Sequence, residues 1–233
     1  EGFQVREARS CNFGNAMTGI MAEEVVRSDI AMFDDSLRNA GFHVIAGVDE
    51  AGRGPLAGPV VAAVVVLREG FYLPGVDDSK RLSAKRRQAV LEEIMESALE
   101  VGVGVAWQDE IDEVNIRVAS LRAMSRAVDQ LSVVPNLVLV DGKDLPDLRL
   151  PAVALVRGDA RSQSVAAASI LAKVVRDALM CELAIVYPEY GFERHKGYPT
   201  PEHLRNLAAF GPCALHRKTF RGVSQSADES VDT

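Results

Sequence analysis

Residues 47–59 read Gly-Val-Asp-Glu-Ala-Gly-Arg-Gly-Pro-Leu-Ala-Gly-Pro, and residues 60–67 continue as Val-Val-Ala-Ala-Val-Val-Val-Leu. A glycine loop behind an apolar strand raises the possibility of a dinucleotide-binding turn, but such a turn must open a helix. Here Pro55 and Pro59 punctuate the loop. The β-branched run that follows predicts a second strand, a hairpin partner of the first. A nucleotide-binding dehydrogenase is therefore disfavoured from the outset.

The same stretch places two adjacent carboxylates, Asp49 and Glu50, at the end of the first strand. Buried acids are costly unless paired or bound to metal. The Gly52-Arg53-Gly54 segment that follows lets backbone and guanidinium come close to a ligand. Consecutive strand residues point to opposite faces, so the two acids are expected to share a site only if the chain turns sharply at Glu50, a bend that the Ala51-Gly52 turn makes possible.

Outward from this segment, residues 21–40 carry Val26, Ile30, Phe33 and Leu37 at helical spacing, predicting an amphipathic helix on the outside of the domain. Ser83 is a candidate cap for a helix reaching about residue 100. Lys85, Arg86 and Arg87 sit in its first turn, against the macrodipole, as a solvated face or as an attraction for phosphate. Residues 101–107 alternate glycine with apolar residues and predict a third strand. Ile116, Ala119, Ala123, Ala127 and Leu131 mark the next helix.

Residues 137–140 are wholly apolar, which predicts a strand buried on both faces and parallel to a neighbour, ending at Asp141-Gly142-Lys143. A further strand is expected at 152–156, then Gly158-Asp159 and a long helix to about Met180. Thr200-Pro201 starts a last helix that Gly211-Pro212 ends. This order predicts an α/β fold, a mixed sheet with helices on its faces.

The chain of 233 residues is long enough for one full core. Its longest apolar stretch is broken by glycine and proline and is shorter than the roughly 20 residues a spanning helix needs, so no membrane partner is expected. Cys11, Cys181 and Cys213 are odd in number and widely spaced. They point to a reducing, cytoplasmic compartment and to no zinc site. The net charge of −7 does not announce a nucleic-acid binder, although local patches matter more than the sum. Basic residues gather at 80–87 and 194–221.

Sites in α/β sheets form beyond the carboxyl ends of strands. Asp49, Glu50 and Asp141 are each expected at such an end, and Asp159 can add a fourth carboxylate from the loop before a helix. Hard oxygen ligands of this kind suit magnesium or manganese. Each acid also has a plainer reading: Asp159 as a helix cap, Asp141 as a turn residue. Asp177, four residues after Lys173, is read as a surface ion-pair partner.

Together, residues 47–59, Asp-Ser-Lys at 78–80, Asp-Gly-Lys at 141–143, Gly-Asp-Ala-Arg-Ser at 158–162, Ala-Ala-Ala-Ser-Ile-Leu-Ala-Lys-Val-Val-Arg-Asp at 166–177 and His-Lys-Gly-Tyr-Pro-Thr at 195–200 resemble the ribonuclease HII family. The match runs over about residues 44–223 in the family order. The sister type, ribonuclease HIII, typically has lysine where Arg53 stands.

The resemblance implies an RNase H-like mixed sheet flanked by helices, with a C-terminal helical segment. It implies an endonuclease that cuts the RNA strand of RNA/DNA hybrids and incises 5′ of ribonucleotides in duplex DNA, leaving 3′-hydroxyl and 5′-phosphate ends. Two divalent cations, Mg²⁺ or Mn²⁺, would be held by Asp49, Glu50, Asp141 and Asp159. Gly52, Arg53 and Gly54 would recognise the ribose 2′-hydroxyl, the group that distinguishes RNA from DNA. Tyr198 would stack on the adjacent deoxyribose, its plainer alternative being a loop tyrosine packed on the last helix. Lys80 and Lys143 are candidate phosphate contacts or ordinary surface lysines.

The expected organisation is a disordered leader at 1–16, a helical extension at 17–42, a catalytic domain at 43–223 and an acidic disordered tail at 224–233, acting as a monomer. Rival readings are a junction resolvase on the same fold and a non-enzymatic hybrid-binding protein. The second is disfavoured because clustered acids repel phosphate without cations.

Overall fold

The computed structural model describes residues 29–74, 76 and 82–223. The expected leader, the first part of the helical extension, the acidic tail, and the Asp78-Ser79-Lys80 segment with its candidate Lys80 lie outside the described residues.

The centre of the fold is a five-stranded sheet in the order β3-β2-β1-β4-β5. Strands β1 (Ile45–Ala51), β2 (Val60–Leu67) and β3 (Ala98–Ala106) run antiparallel, as the glycine-proline hairpin requires. Strands β4 (Leu137–Asp141) and β5 (Ala152–Leu155) add to the other side of β1 in parallel. All eight residues of β2 are buried, because helices cover both sheet faces.

On one face lies α4 (Ile116–Val128), whose Ala119, Ala123 and Ala127 pack against Val48, Ala62 and Val64. The glycines of β3 permit this approach: a Cβ on Gly104 would lie 2.0 Å from the Ala123 carbonyl oxygen. On the other face lies α5 (Gln163–Val186), with Ala167, Ala168, Ile170 and Leu171 against Ala63, Val65 and Leu67. A Cβ on Gly47 would lie 2.1 Å from the Ser164 backbone. The start of α5 therefore rests directly on β1, and a side chain at position 47 would push them apart.

Helix α1 (Asp29–Asn39) occupies the outside, as expected, and is fastened from within. Its buried Asp34 accepts from the Ser164 N–H at 2.9 Å and from its hydroxyl at 2.7 Å, at the start of α5. Burial pushes the Asp34 carboxyl up, against these donors. Helix α2 (Ala84–Ser97) is capped by Ser83 as predicted, but it ends at Ser97 because the chain enters β3 at Ala98. A further short helix, α3 (Gln108–Val114), precedes α4. The two are separated at Asn115, whose φ of 71° breaks the helix and whose side chain caps α4. Helix α5 runs past Met180 to Val186.

The C-terminal segment comprises the single turn α6 (Phe192–His195), α7 (Pro201–Phe210) and the chain to Val223. It clasps the 52–59 loop: the Leu56 N–H donates to Gly197 O, the Gly58 N–H to Leu215 O, and the Arg217 N–H to Leu56 O. The loop between β1 and β2 is thus held by residues far along the chain. No helix among the described residues is long and apolar enough to cross a membrane.

Candidate active site

Pairing between β1 and β4 ends at Val48 with Val140, so Asp49 and Asp141 sit side by side at the carboxyl ends of adjacent parallel strands. Asp49 is buried and shares the face of Ile45 and Gly47, under α5, where the Ser169 side chain hydrogen-bonds it. Burial, then the neighbouring charges of Glu50 and Asp141, push its carboxyl well above the ordinary range. Burial also pushes Glu50 up, against the pull of Arg53. Arg53 Nη1 lies 3.1 Å from Glu50 Oε1, while Glu50 Oε2 is buried with no hydrogen-bond partner.

The sharp turn expected at Glu50 does not occur. Glu50 and Ala51 continue the strand, paired with Ala62 and Val61, and the chain turns at Gly52, where φ is +97°. The backbone keeps its alternation, so the two side chains start on opposite faces, but both reach Ser169 of α5, which hydrogen-bonds Asp49 and lines a cleft with Glu50. They still interact because β4 no longer pairs beside them, which leaves the sheet edge open, and Asp141 acts on both.

Asp141 Oδ1 accepts from the Gly158 N–H at 2.6 Å, tying β4 to the 3₁₀ turn Gly158–Ala160 that carries the buried Asp159. The cap of α5 is Ser162, whose hydroxyl accepts from the Val165 N–H. Asp159 is therefore not that cap. Among the described residues, no three Asp, Glu, His or Cys side chains form a ready-made cage for an ion. The donor set nevertheless fits a hard divalent cation: carboxylate oxygens, one orphaned, whose mutual repulsion a cation would relieve.

This repulsion has a measurable consequence. An acid with a raised folded pKa contributes stability below its unfolded pKa and loses it as pH rises through the folded value. In metal-free protein the contribution of these acids should therefore be lost as pH rises above about 4, and Asp49→Asn should lose less of it. Relief worth about 1 kcal/mol would raise Tm by about 2–4 °C in a chain of this size. Thermal melts in chelator at pH 8 check this, and a variant less stable than wild type would contradict it.

Beside the carboxylates opens a cleft of about 410 Å³, lined by Glu50, the Gly52-Arg53-Gly54 segment, Arg87, Ser169, Lys173 and Tyr198. Gly52 admits no side chain, since a Cβ there would lie 1.9 Å from Arg176 Nε. Tyr198 is 41% exposed, so its ring is available in the cleft rather than packed away on α7. Lys173 Nζ stands 5.8 Å from its ring centre. Lys173 also pairs with Asp177 at 2.8 Å, the surface ion pair the helical spacing predicts. Lys143 is exposed and does not line the cleft; it acts on Asp144, which Arg117 holds below the usual carboxylate range.

Sequence reasoning missed two residues beneath this loop. Arg176 and Arg217 are fully buried, and their hydrogen bonds go to backbone carbonyls. Arg217 donates to Gly52 O at 2.6 Å, Arg53 O at 3.0 Å and Gly58 O. Arg176 donates to Pro59 O at 2.9 Å, Ala57 O and Lys196 O. Burial, and then the neighbouring Arg176 charge, bring Arg217 down to about 9. The available signal was an arginine at helical spacing between Ala172 and Met180, on the buried stripe of α5.

The chain is similar to known proteins over nearly the whole described region. The family model described as Ribonuclease HII matches residues 46–223. A Ribonuclease HII of Geobacter metallireducens is 51% identical over 203 residues, covering 87% of this chain and 95% of that protein. The ribonuclease H2 of Pyrococcus horikoshii superposes with a TM-score of 0.71 at 27% identity, covering 82% of this chain and all of that one. Bst-RNase HIII, solved in complex with Mn²⁺, shares the fold at a TM-score of 0.63 and 19% identity, covering 80% of this chain and 70% of that one. By the family match and these relatives, the chain belongs to ribonuclease HII, a family of metal-dependent nucleases, and is a ribonuclease H of type 2.

Proposed function

We propose that this enzyme hydrolyses the RNA strand of RNA/DNA hybrids and incises duplex DNA on the 5′ side of an embedded ribonucleotide. The observation that carries the reading is adjacency: Glu50, in electrostatic contact with Asp49 and Asp141, lines the cleft that holds Gly52, Arg53, Gly54 and Tyr198. Cutting and sugar inspection would then occur on one nucleotide.

Asp49, Glu50, Asp141 and Asp159 would hold two divalent cations, Mg²⁺ or Mn²⁺. Such ions, when bound, activate water and stabilise the leaving oxygen in phosphoryl chemistry. The Gly52-Arg53-Gly54 segment would bind the ribose 2′-hydroxyl, with its backbone fixed by Arg217 and the rest of the loop held by Arg176 at Ala57 and Pro59. Tyr198 would stack on the following deoxyribose, and Arg87 and Lys173 would contribute positive charge to the phosphate path. Lys80, outside the described residues, and Lys143, which does not line the cleft, remain proposed phosphate contacts. The scheme is proposed for a monomer.

The test is a panel of long hybrid, single-ribonucleotide duplex and four-way junction substrates, with Mg²⁺ or Mn²⁺ and with chelator. Metal-dependent incision 5′ of the ribonucleotide, leaving 3′-hydroxyl and 5′-phosphate ends, is expected. Preference for the junction would support a resolvase, and binding without turnover would support a hybrid-binding protein. Arg53→Ala should reduce discrimination between ribo- and deoxyribo-substrates by about tenfold, beyond its effect on duplex binding. Equal losses in discrimination and in binding would refute its role.

A further inference from the structure

Behind Tyr198 lies a group of buried histidines that the scheme above does not use. His203 and His216 are fully buried, with their Nε2 atoms 3.1 Å apart. Their tautomers follow from their partners. The Cys213 N–H donates to His216 Nδ1 at 3.0 Å, so that nitrogen carries no proton and the His216 proton is on Nε2. It faces His203 Nε2, which must therefore accept. The His203 proton is then on Nδ1, which donates to the Tyr198 carbonyl at 2.9 Å.

The three hydrogen bonds run in one direction, from Cys213 through His216 and His203 to Tyr198. A third ring, His195, stacks on His203 at 4.5 Å and is fixed in the same way. The Gly197 N–H donates to its Nδ1, leaving Nε2–H for the Tyr190 carbonyl. Burial holds His216 down at about 4, so the relay stays neutral.

Filling a core would not require polar rings with a defined direction. This relay ends on the backbone of a cleft residue, in a segment where Lys196 and Gly197 both have positive φ. Its origin matters as well. His216 is followed by Arg217, which grips the carbonyls of Gly52 and Arg53. One dipeptide therefore holds both sides of the cleft: Tyr198 through His203, and the Gly52-Arg53-Gly54 segment through Arg217.

We propose that His203 and His216 are positioning residues that set Tyr198 against the Gly52-Arg53-Gly54 segment, and so set selectivity for the junction between a ribonucleotide and deoxyribonucleotides. This rests on the function proposed above.

The test compares kcat/KM on a single-ribonucleotide duplex with kcat/KM on a long hybrid, for wild type, Tyr198→Ala, His203→Phe and the double variant. His203→Phe keeps a buried ring against Phe192 and loses both hydrogen bonds. It should lower the ratio roughly tenfold, the scale of one lost buried hydrogen bond. The double variant should be no worse than Tyr198→Ala alone. His203→Asn, whose amide can still donate toward the Tyr198 carbonyl, should recover most of the ratio.

If His203→Phe fails to fold, His203→Gln, whose longer side chain places its amide toward His216 Nε2 and away from the Tyr198 carbonyl, is read in the same way. A wild-type ratio in the variants, equal losses on both substrates, or multiplying effects in the double variant would overturn the relay. Failure of wild type to incise the single-ribonucleotide duplex, or no change of ratio in Tyr198→Ala, would overturn the functional reading on which it stands.

Discussion

Asp49→Asn is expected to lower cleavage of RNA/DNA hybrids by about 10²–10³-fold, the scale of removing one preorganised electrostatic group from a transition state. Asn keeps an oxygen that can accept from the Glu50 N–H, as Asp49 Oδ1 does at 2.7 Å, so the local fold should persist. What is lost is a negative charge at the point where burial and two other acids already oppose it. Nothing in the local packing requires that charge. A gain in metal-free stability together with a loss of activity would be the signature of a group retained for chemistry. Steady-state cleavage at saturating Mn²⁺ measures it, and activity within a few fold of wild type would remove Asp49 from the proposed mechanism.

Arg217→Leu is expected to destabilise the fold by about 3 kcal/mol or more, because the carbonyls of Gly52 and Gly58 would be left buried without their donor and that of Arg53 would lose a part-buried one. A loss of this size lowers Tm by about 6–12 °C in a chain of this length. Leucine matches the apolar surroundings but supplies no donor. Arg217→Lys should lie between the two, since one ammonium cannot reproduce a planar fork that reaches three residues. Activity should fall further than stability alone explains, because the released carbonyls belong to the segment proposed to read the sugar. Chemical denaturation checks the first statement. A variant within about 0.5 kcal/mol of wild type would show that the loop is held by other contacts.

Much of the fold was legible because its decisive signals are local. The prolines at 55 and 59 and the β-branched run of β2 identified the antiparallel hairpin. The unbroken apolar run of β4 identified a buried parallel strand, and both faces of β4 are indeed covered. Ser83 and Thr200 marked helix starts by cap chemistry alone. By contrast, α3 carries four acids in seven residues and is cut from α4 by an asparagine with positive φ, so no apolar period announces it.

At the site, spacing pointed to Asp49, Glu50 and Asp141, and the structure brings these into electrostatic contact. It places Asp159 on an adjoining turn, joined to β4 through the Gly158 N–H. The expectation of a turn at Glu50 treated the strand as an isolated object. In the sheet, loss of one neighbour rather than a bend opens the edge. Arg176, Arg217 and the histidine relay were illegible for a different reason. Their partners are backbone carbonyls and rings supplied by distant parts of the chain, and a single sequence gives no distance between Gly52 and Arg217.

The central claim, that four carboxylates hold metal beside a sugar-reading loop, is tested most directly by diffraction. The protein would be crystallised with Mn²⁺ and a duplex carrying one ribonucleotide beside an uncleavable phosphate, and the anomalous signal located. The account predicts manganese peaks among Asp49, Glu50, Asp141 and Asp159, with the ribonucleotide against Gly52, Arg53 and Gly54 and the next sugar on Tyr198. Manganese bound elsewhere, or a ribonucleotide lying outside this cleft, would contradict it.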